Sequence, residues 1–107
     1  MSQKPVYDLD IVQEIALDKR KCRISLRLLN WLDNHGYRKG IVHDIIHALK
    51  EECFCKTVEL EKMPGKLADV YKLDYEDEKW YVKLFLDDET GQLIVRVWSC
   101  WPNGFLH

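Results

Sequence analysis

From Phe54 to Trp101 the chain alternates apolar and polar residues in four runs, FCKTVELEKM, KLADVYKLDY, KWYVKLFLD and GQLIVRVWSCW, with turn chemistry between them. Side chains two apart share one face of a strand, so a period of two sustained this long restricts the chain to an antiparallel meander. Met63-Pro64-Gly65 is the first turn signal and Glu76-Asp77-Glu78 ends the second run. Asp87 to Gly91 forms the third connection, where Gly91 can take a positive φ. In the third run Trp80, Val82, Leu84 and Leu86 alternate with Tyr81, Lys83 and Phe85. In the fourth, Leu93, Val95 and Val97 alternate with Ile94, Arg96 and Trp98. The first set of each run is expected to face a core, leaving Tyr81, Lys83 and Arg96 together on the other face.

The first half of the chain has helical spacing instead. Asp8 or Asp10 can cap a helix with Ile11, Val12, Ile15 and Ala16 on one side, ending in the basic run that follows. Ser25 is positioned to cap a second helix with Leu28, Leu29 and Leu32 inward, Trp31 closing one edge and Gly36 as the stop. After Gly40, the residues Ile41, Val42, Ile45, Ile46 and Leu49 trace the stripe of a third helix. Helices first and strands second predict an α+β fold: about three amino-terminal helices packed on a four-stranded antiparallel sheet. At 107 residues one domain spanning 1–107 is expected, burying somewhat over ~60% of its extended surface.

No apolar stretch approaches the roughly 18 residues of a membrane span, and the opening MSQKPVYDLD lacks the apolar region of a signal peptide, so a cytoplasmic location is expected. In that setting Cys22, Cys53, Cys55 and Cys100 read as reduced thiols. His43-Asp44-Ile45-Ile46-His47 puts two imidazoles one helical turn apart, but aspartate is shorter than the glutamate of a zinc protease helix and no third ligand follows. Cys53-Phe54-Cys55 likewise has no second pair at zinc-ligand spacing. The expected metal count is zero, with both histidines on a solvated helix flank and His47 bonded to Glu51.

Formal net charge is -2, which argues against non-specific coating of nucleic acid. The charge is unevenly spread: DKRKCRISLR from Asp18 to Arg27 holds five basic residues and one acid, whereas Asp74 to Glu89 holds seven acids and two lysines. The basic run is either a solvated face or, with Arg23 and Arg27 beside a lysine-bearing sheet, half of a phosphate-binding rim. Lys56, Lys72, Tyr81, Lys83 and Arg96 are residue types suited to gripping and cleaving a phosphodiester. Each lysine taken alone also reads as an exposed sheet residue, and Tyr71, Tyr75 and Tyr81 as border residues of a core. Trp98, Trp101 and Phe105 offer either a stacking platform for RNA bases or a flap over the sheet.

Several short motifs carry a family likeness: Arg23-Ile24-Ser25 after the first helix, E-C-F-C-K-T at the start of the first long strand, Asp69-Val70-Tyr71, and Trp80-Tyr81-Val82-Lys83. In that order, over about residues 6 to 98, the chain resembles the MqsR-type toxins of bacterial type II toxin-antitoxin systems, small ribonucleases with a RelE-like α+β fold. The resemblance implies a metal-independent, sequence-preferring mRNA endoribonuclease without a cofactor, acting on single-stranded RNA and restrained by a cognate antitoxin protein. It places the family's lysine on Lys56 and its strand tyrosine on Tyr81. The family glutamine before D-V-Y is Ala68 here, the aromatic before the lysine is Cys55, and the basic position near the carboxyl end falls to Arg96 or His107.

In such a reaction the ribose 2′ hydroxyl attacks the adjacent phosphorus and the 5′ oxygen leaves, which requires a base, a cation for the phosphorane and an acid. Lys56, Lys83 and Arg96 supply charge, and Tyr81 orients the phosphate or stacks on a base. Lys72, Arg23, Arg27 and Trp98 are the expected RNA contacts. His107 is the most convenient proton carrier by its chemistry, but it is the last residue of the chain. The competing reading is a non-catalytic binding protein on the same scaffold that presents its acidic 74–89 region to a basic partner.

Overall fold

The computed structural model describes residues 4–102. The order of elements is α1 (Leu9–Ala16), a 3-10 turn (Lys19–Lys21), β1 (Cys22–Ile24), α2 (Leu26–Asn34), α3 (Ile41–Ala48), a second 3-10 turn (Glu51–Cys53), β2 (Phe54–Glu59), β3 (Leu67–Tyr75), β4 (Glu78–Glu89) and β5 (Gln92–Pro102). Asp8 caps α1 by accepting from the Asp10 amide at 2.9 Å, and Ser25 caps α2 by accepting from the Leu28 amide at 3.3 Å. Both side chains satisfy amides that the first helical turn leaves without carbonyl partners. Gly36, at φ 80°, lets the chain leave α2. The α3 stripe is as read: Ile41, Val42, Ile45, Ile46 and Leu49 are all buried.

The sheet has five strands, not four, and it is mixed rather than antiparallel: the order is β1-β5-β4-β3-β2, with β1 parallel to β5. The missing strand is Cys22-Arg23-Ile24 inside the basic run. Three residues are too short to show a period of two, and the parallel pairing joins segments about seventy positions apart, which no local pattern announces. α1 stops at Ala16, short of the basic segment, where Asp18 accepts from the Arg20 amide at 2.9 Å and opens the separate 3-10 turn. Ile11 and Leu29, expected inward, are 43% and 40% exposed, because the buried stripes are narrower: Leu9, Val12 and Ala16 on α1, Leu28 and Leu32 on α2.

All three helices pack on one face of the sheet, where Tyr71, Trp80, Val82, Leu84, Val95, Val97 and Cys100 meet Val12, Leu28 and Ile45. Leu93 departs from the expected inward set and is 49% exposed beside the hairpin, while its neighbour Ile94 is buried. A smaller apolar cluster, Leu60, Ala68 and Phe85 with Val58, Met63 and Trp98 against it, forms on the opposite face. The hairpins β3–β4 and β4–β5 turn on two residues of positive φ each, Glu76-Asp77 and Thr90-Gly91. That geometry matches the right-handed twist of the strands they join.

The four cysteines are free thiols, and burial pushes the Cys22 thiol up to about 11 and Cys100 higher still. His47 is bonded, but to the carbonyls of His43 (2.9 Å) and Gln13 (3.0 Å) rather than to Glu51, because α1 packs against its flank. His43 is not on a solvated flank: both its ring nitrogens are buried without a hydrogen-bond partner. Among the described residues no helix is long and apolar enough to cross a membrane, and no three His, Cys, Asp or Glu side chains converge as a metal site.

Candidate nucleic-acid cleft

The sheet face turned away from the helices carries a cleft of about 850 Å³, within the range usual for ligand sites, ~300–1,000 Å³. Its floor follows from strand register. Lys56 lies opposite Val70, Val70 opposite Lys83, and Lys83 opposite Ser99, a row that crosses β2, β3, β4 and β5. A second row sets Lys72 opposite Tyr81 and Tyr81 opposite Trp101. Neighbouring strands lie ~4.7–4.9 Å apart, so the four positions line up two ammonium groups, a valine and a hydroxyl along a row about 14 Å long.

Two β-bulges shape the rows. One lies at Cys55, between Phe54 and Lys56, and the other at Trp98, where Lys83 pairs with Ser99 but Leu84 pairs with Val97. An extra residue in one strand inverts the alternation beyond it and bends the strand. The Trp98 bulge therefore turns Ser99 and Trp101 toward the cleft and Cys100 toward the core. Ser99 was not foreseen, because a strict period of two through β5 puts it with Val95 and Val97.

Arg27 and Ser25, at the start of α2, form one wall, and Glu59, Glu61 and Lys62 lie on the opposite rim. Lys72 holds its Nζ 5.0 Å from the centre of the Tyr81 ring, a cation–π contact that braces the tyrosine. Trp98 leans on Phe85 with ring centres 5.9 Å apart, and Trp101 meets Trp31 edge-on at 5.0 Å, so the aromatic wall is tied to both apolar clusters. Among the described residues none of Lys56, Lys72 and Lys83 is ion-paired to a carboxylate. Their charge faces the cleft, whose rim also carries Glu59 and Glu61.

Of the residues expected to act on RNA, Lys56, Lys72, Tyr81, Lys83, Arg27 and Trp98 line this cleft, and Arg23 and Arg96 do not. Arg96 donates to Asp87 at 2.7 Å and to Glu89 at 2.9 Å, and its bond holds the Asp87 carboxyl below the usual carboxylate range. It lies across the strand from Phe85, so the Phe85–Trp98 pair stands beside it. Arg23 sits next to Arg96 in register, bonds the Arg20 carbonyl at 3.0 Å, and reaches Glu89 at 3.4 Å. It lines a separate hollow of about 220 Å³ with Asp18, Arg20, Lys21 and Gln92. His107 and Phe105 lie outside the described residues.

The D-V-Y motif divides its labour among three environments. Asp69 is buried on the helix side, Val70 is on the cleft floor, and Tyr71 is in the main core with its hydroxyl unpartnered. Ala68, just before the motif, is fully buried in the small cluster with Leu60 and Phe85, so that position presents no polar group to the cleft. The sequence model of a family described as motility quorum-sensing regulator, toxin of MqsA, matches residues 4–97. No curated protein matches the chain.

Proposed function

The chain belongs to the MqsR toxin family, and on that premise we propose that it is a metal-independent mRNA endoribonuclease, sequence-preferring and restrained by a cognate antitoxin, working in the cytoplasm as one domain. The observation that carries this reading is the row Lys56, Val70, Lys83, Ser99, with Lys72 and Tyr81 directly beside it. A single-stranded RNA laid across the strands meets Arg27, Lys83, Lys56 and Lys72 with its phosphates and Trp98 with a base. Attack by the 2′ oxygen forms the 2′-oxygen–phosphorus bond as its proton passes to water, and breaks the bond to the 5′ oxygen, which takes a proton from water, leaving a 2′,3′-cyclic phosphate and a 5′ hydroxyl. Lys56 and Lys83 stabilise the charge that grows on the phosphorane, and Tyr81 orients the phosphate. Arg96, held by Asp87 and Glu89, supports the strand end rather than the reacting phosphate.

The acidic 74–89 region speaks less for the rival binding protein than its composition suggests. Asp74 pairs with Lys79, Glu76 with Arg38, Glu78 accepts from Tyr37, and Asp87 and Glu89 hold Arg96. Cleavage of a mixed-sequence, 5′-labelled single-stranded RNA in EDTA tests the proposal. Discrete cuts are expected from the parent and a loss of about tenfold or more from folded K56A and Y81F. No parental cleavage across several RNAs would transfer the reading to the binding protein.

A further inference from the structure

Asp69 is the one charged side chain that is fully buried among the described residues. Its carboxylate accepts from three donors: the Val6 amide at 3.0 Å, the Tyr7 amide at 2.9 Å and the Thr57 hydroxyl at 2.7 Å. A charge withdrawn from water is tolerated when its lone pairs are filled in this way, and bonds to an ionised acceptor are the strong ones. The donors come from two places, the segment leading into α1 and the strand β2.

That strand needs the help. It is an edge of the sheet, paired only with β3, and its ladder is interrupted at Cys55, immediately before Lys56. An edge strand with a bulge is held by few backbone bonds at that point. Thr57 follows Lys56 and faces the opposite side of the sheet, where Asp69 is its partner in register. The buried carboxylate thus grips β2 from behind, one residue from the lysine that faces the cleft, while the amides of Val6 and Tyr7 hold the carboxylate itself.

We propose that Asp69 and Thr57 are positioning residues for Lys56: their bond fixes the bulged edge strand so that the ammonium group meets the reacting phosphate. The inference rests on the ribonuclease reading of the cleft. It also gives the aspartate of the D-V-Y motif a role in activity without contact with RNA. The residues just before α1 become part of the same device.

Thr57→Val keeps the side chain's shape and removes one donor, and Thr57→Ser keeps the donor. Single-turnover cleavage at saturating RNA should fall about tenfold in T57V and stay near the parent in T57S. Binding of a 2′-O-methylated RNA of the same sequence should change by less than about twofold in both. In a K56A background T57V should have no further effect on the rate, because the lysine it positions is gone. A purely structural role would lower the rate in that background as well. T57V cleaving at the parent rate, or T57S failing as badly as T57V, overturns the positioning role while leaving the nuclease reading intact. A parent that does not cleave RNA at all removes both. Thr57→Ala replaces T57V, with the same expected results, if the valine variant does not fold.

Discussion

If the cleft binds single-stranded RNA through its phosphates, the affinity must fall with salt at a slope set by its cations. Arg27, Lys56, Lys72 and Lys83 line it, while Lys62 shares its rim with Glu59 and Glu61 and is left out of the count. Each phosphate contact on a single strand contributes about 0.7 to the slope of log affinity against log salt, so four contacts give about −2.8. Between 50 and 200 mM salt that slope weakens binding by about 50-fold. Lys83→Gln removes one contact without removing the side chain's bulk, and it should reduce the slope to about −2.1 and the loss over the same interval to about 18-fold. Arg96→Gln should leave the slope at the parent value, since Asp87 and Glu89 already neutralise that guanidinium. Fluorescence anisotropy with a labelled, fully 2′-O-methylated RNA measures these slopes, with circular dichroism confirming the fold at each salt concentration. A parental slope near zero, or a change in R96Q equal to that in K83Q, would refute the assignment of phosphate contacts to this face.

Two further expectations concern stability. The Tyr71 hydroxyl is buried without a partner, so Tyr71→Phe should be neutral to stabilising by about 1 kcal/mol, read as an unchanged or raised urea midpoint at unchanged m-value. His43 is held below its ordinary pKa first by burial, then by the nearby charges of Lys19 and His47, with Asp44 opposing them. The unfolded chain therefore binds more protons than the native one just below the usual histidine value of ~6.5. Stability from this group is complete above that pH and declines as the pH falls through it toward the lowered native value. Urea midpoints measured from pH 7.5 to 5 should show that decline in the parent and less of it in His43→Leu; equal declines in the two proteins would contradict it.

The helix caps at Asp8 and Ser25, the α3 stripe, the four long strands and the Gly91 turn all follow from patterns within a few residues. So does the sharing of one face by Tyr81 and Lys83, through the period of two in β4; Lys56 and Lys72 join them only through the register of β2 and β3, and the bulge at Cys55 puts Lys56 on the face opposite Phe54. Arg96 obeyed the same alternation and still fell outside the cleft. Alternation specifies which face a side chain occupies but not which row, and the row depends on how far each strand slides against its neighbour. Arg23 shows the same limit: it joins the sheet only because β1 lies parallel to β5, and its nearest charged partner, Glu89, is 66 positions away.

What the sequence determined by itself was therefore the inventory: α+β class, helix ends, strand count less one, and the faces of the long strands. These depend on backbone geometry repeated every two or 3.6 residues, which apolar spacing records directly. Tertiary structure alone decided the fifth strand, the inversion at Trp98 that brings Ser99 and Trp101 to the cleft, and the neutralisation of Arg96. It also decided the burial of Asp69 behind Thr57. Each of these depends on register between segments distant in the chain, and register is set by the packing of the whole sheet against the helices, a cooperative property with no local signature.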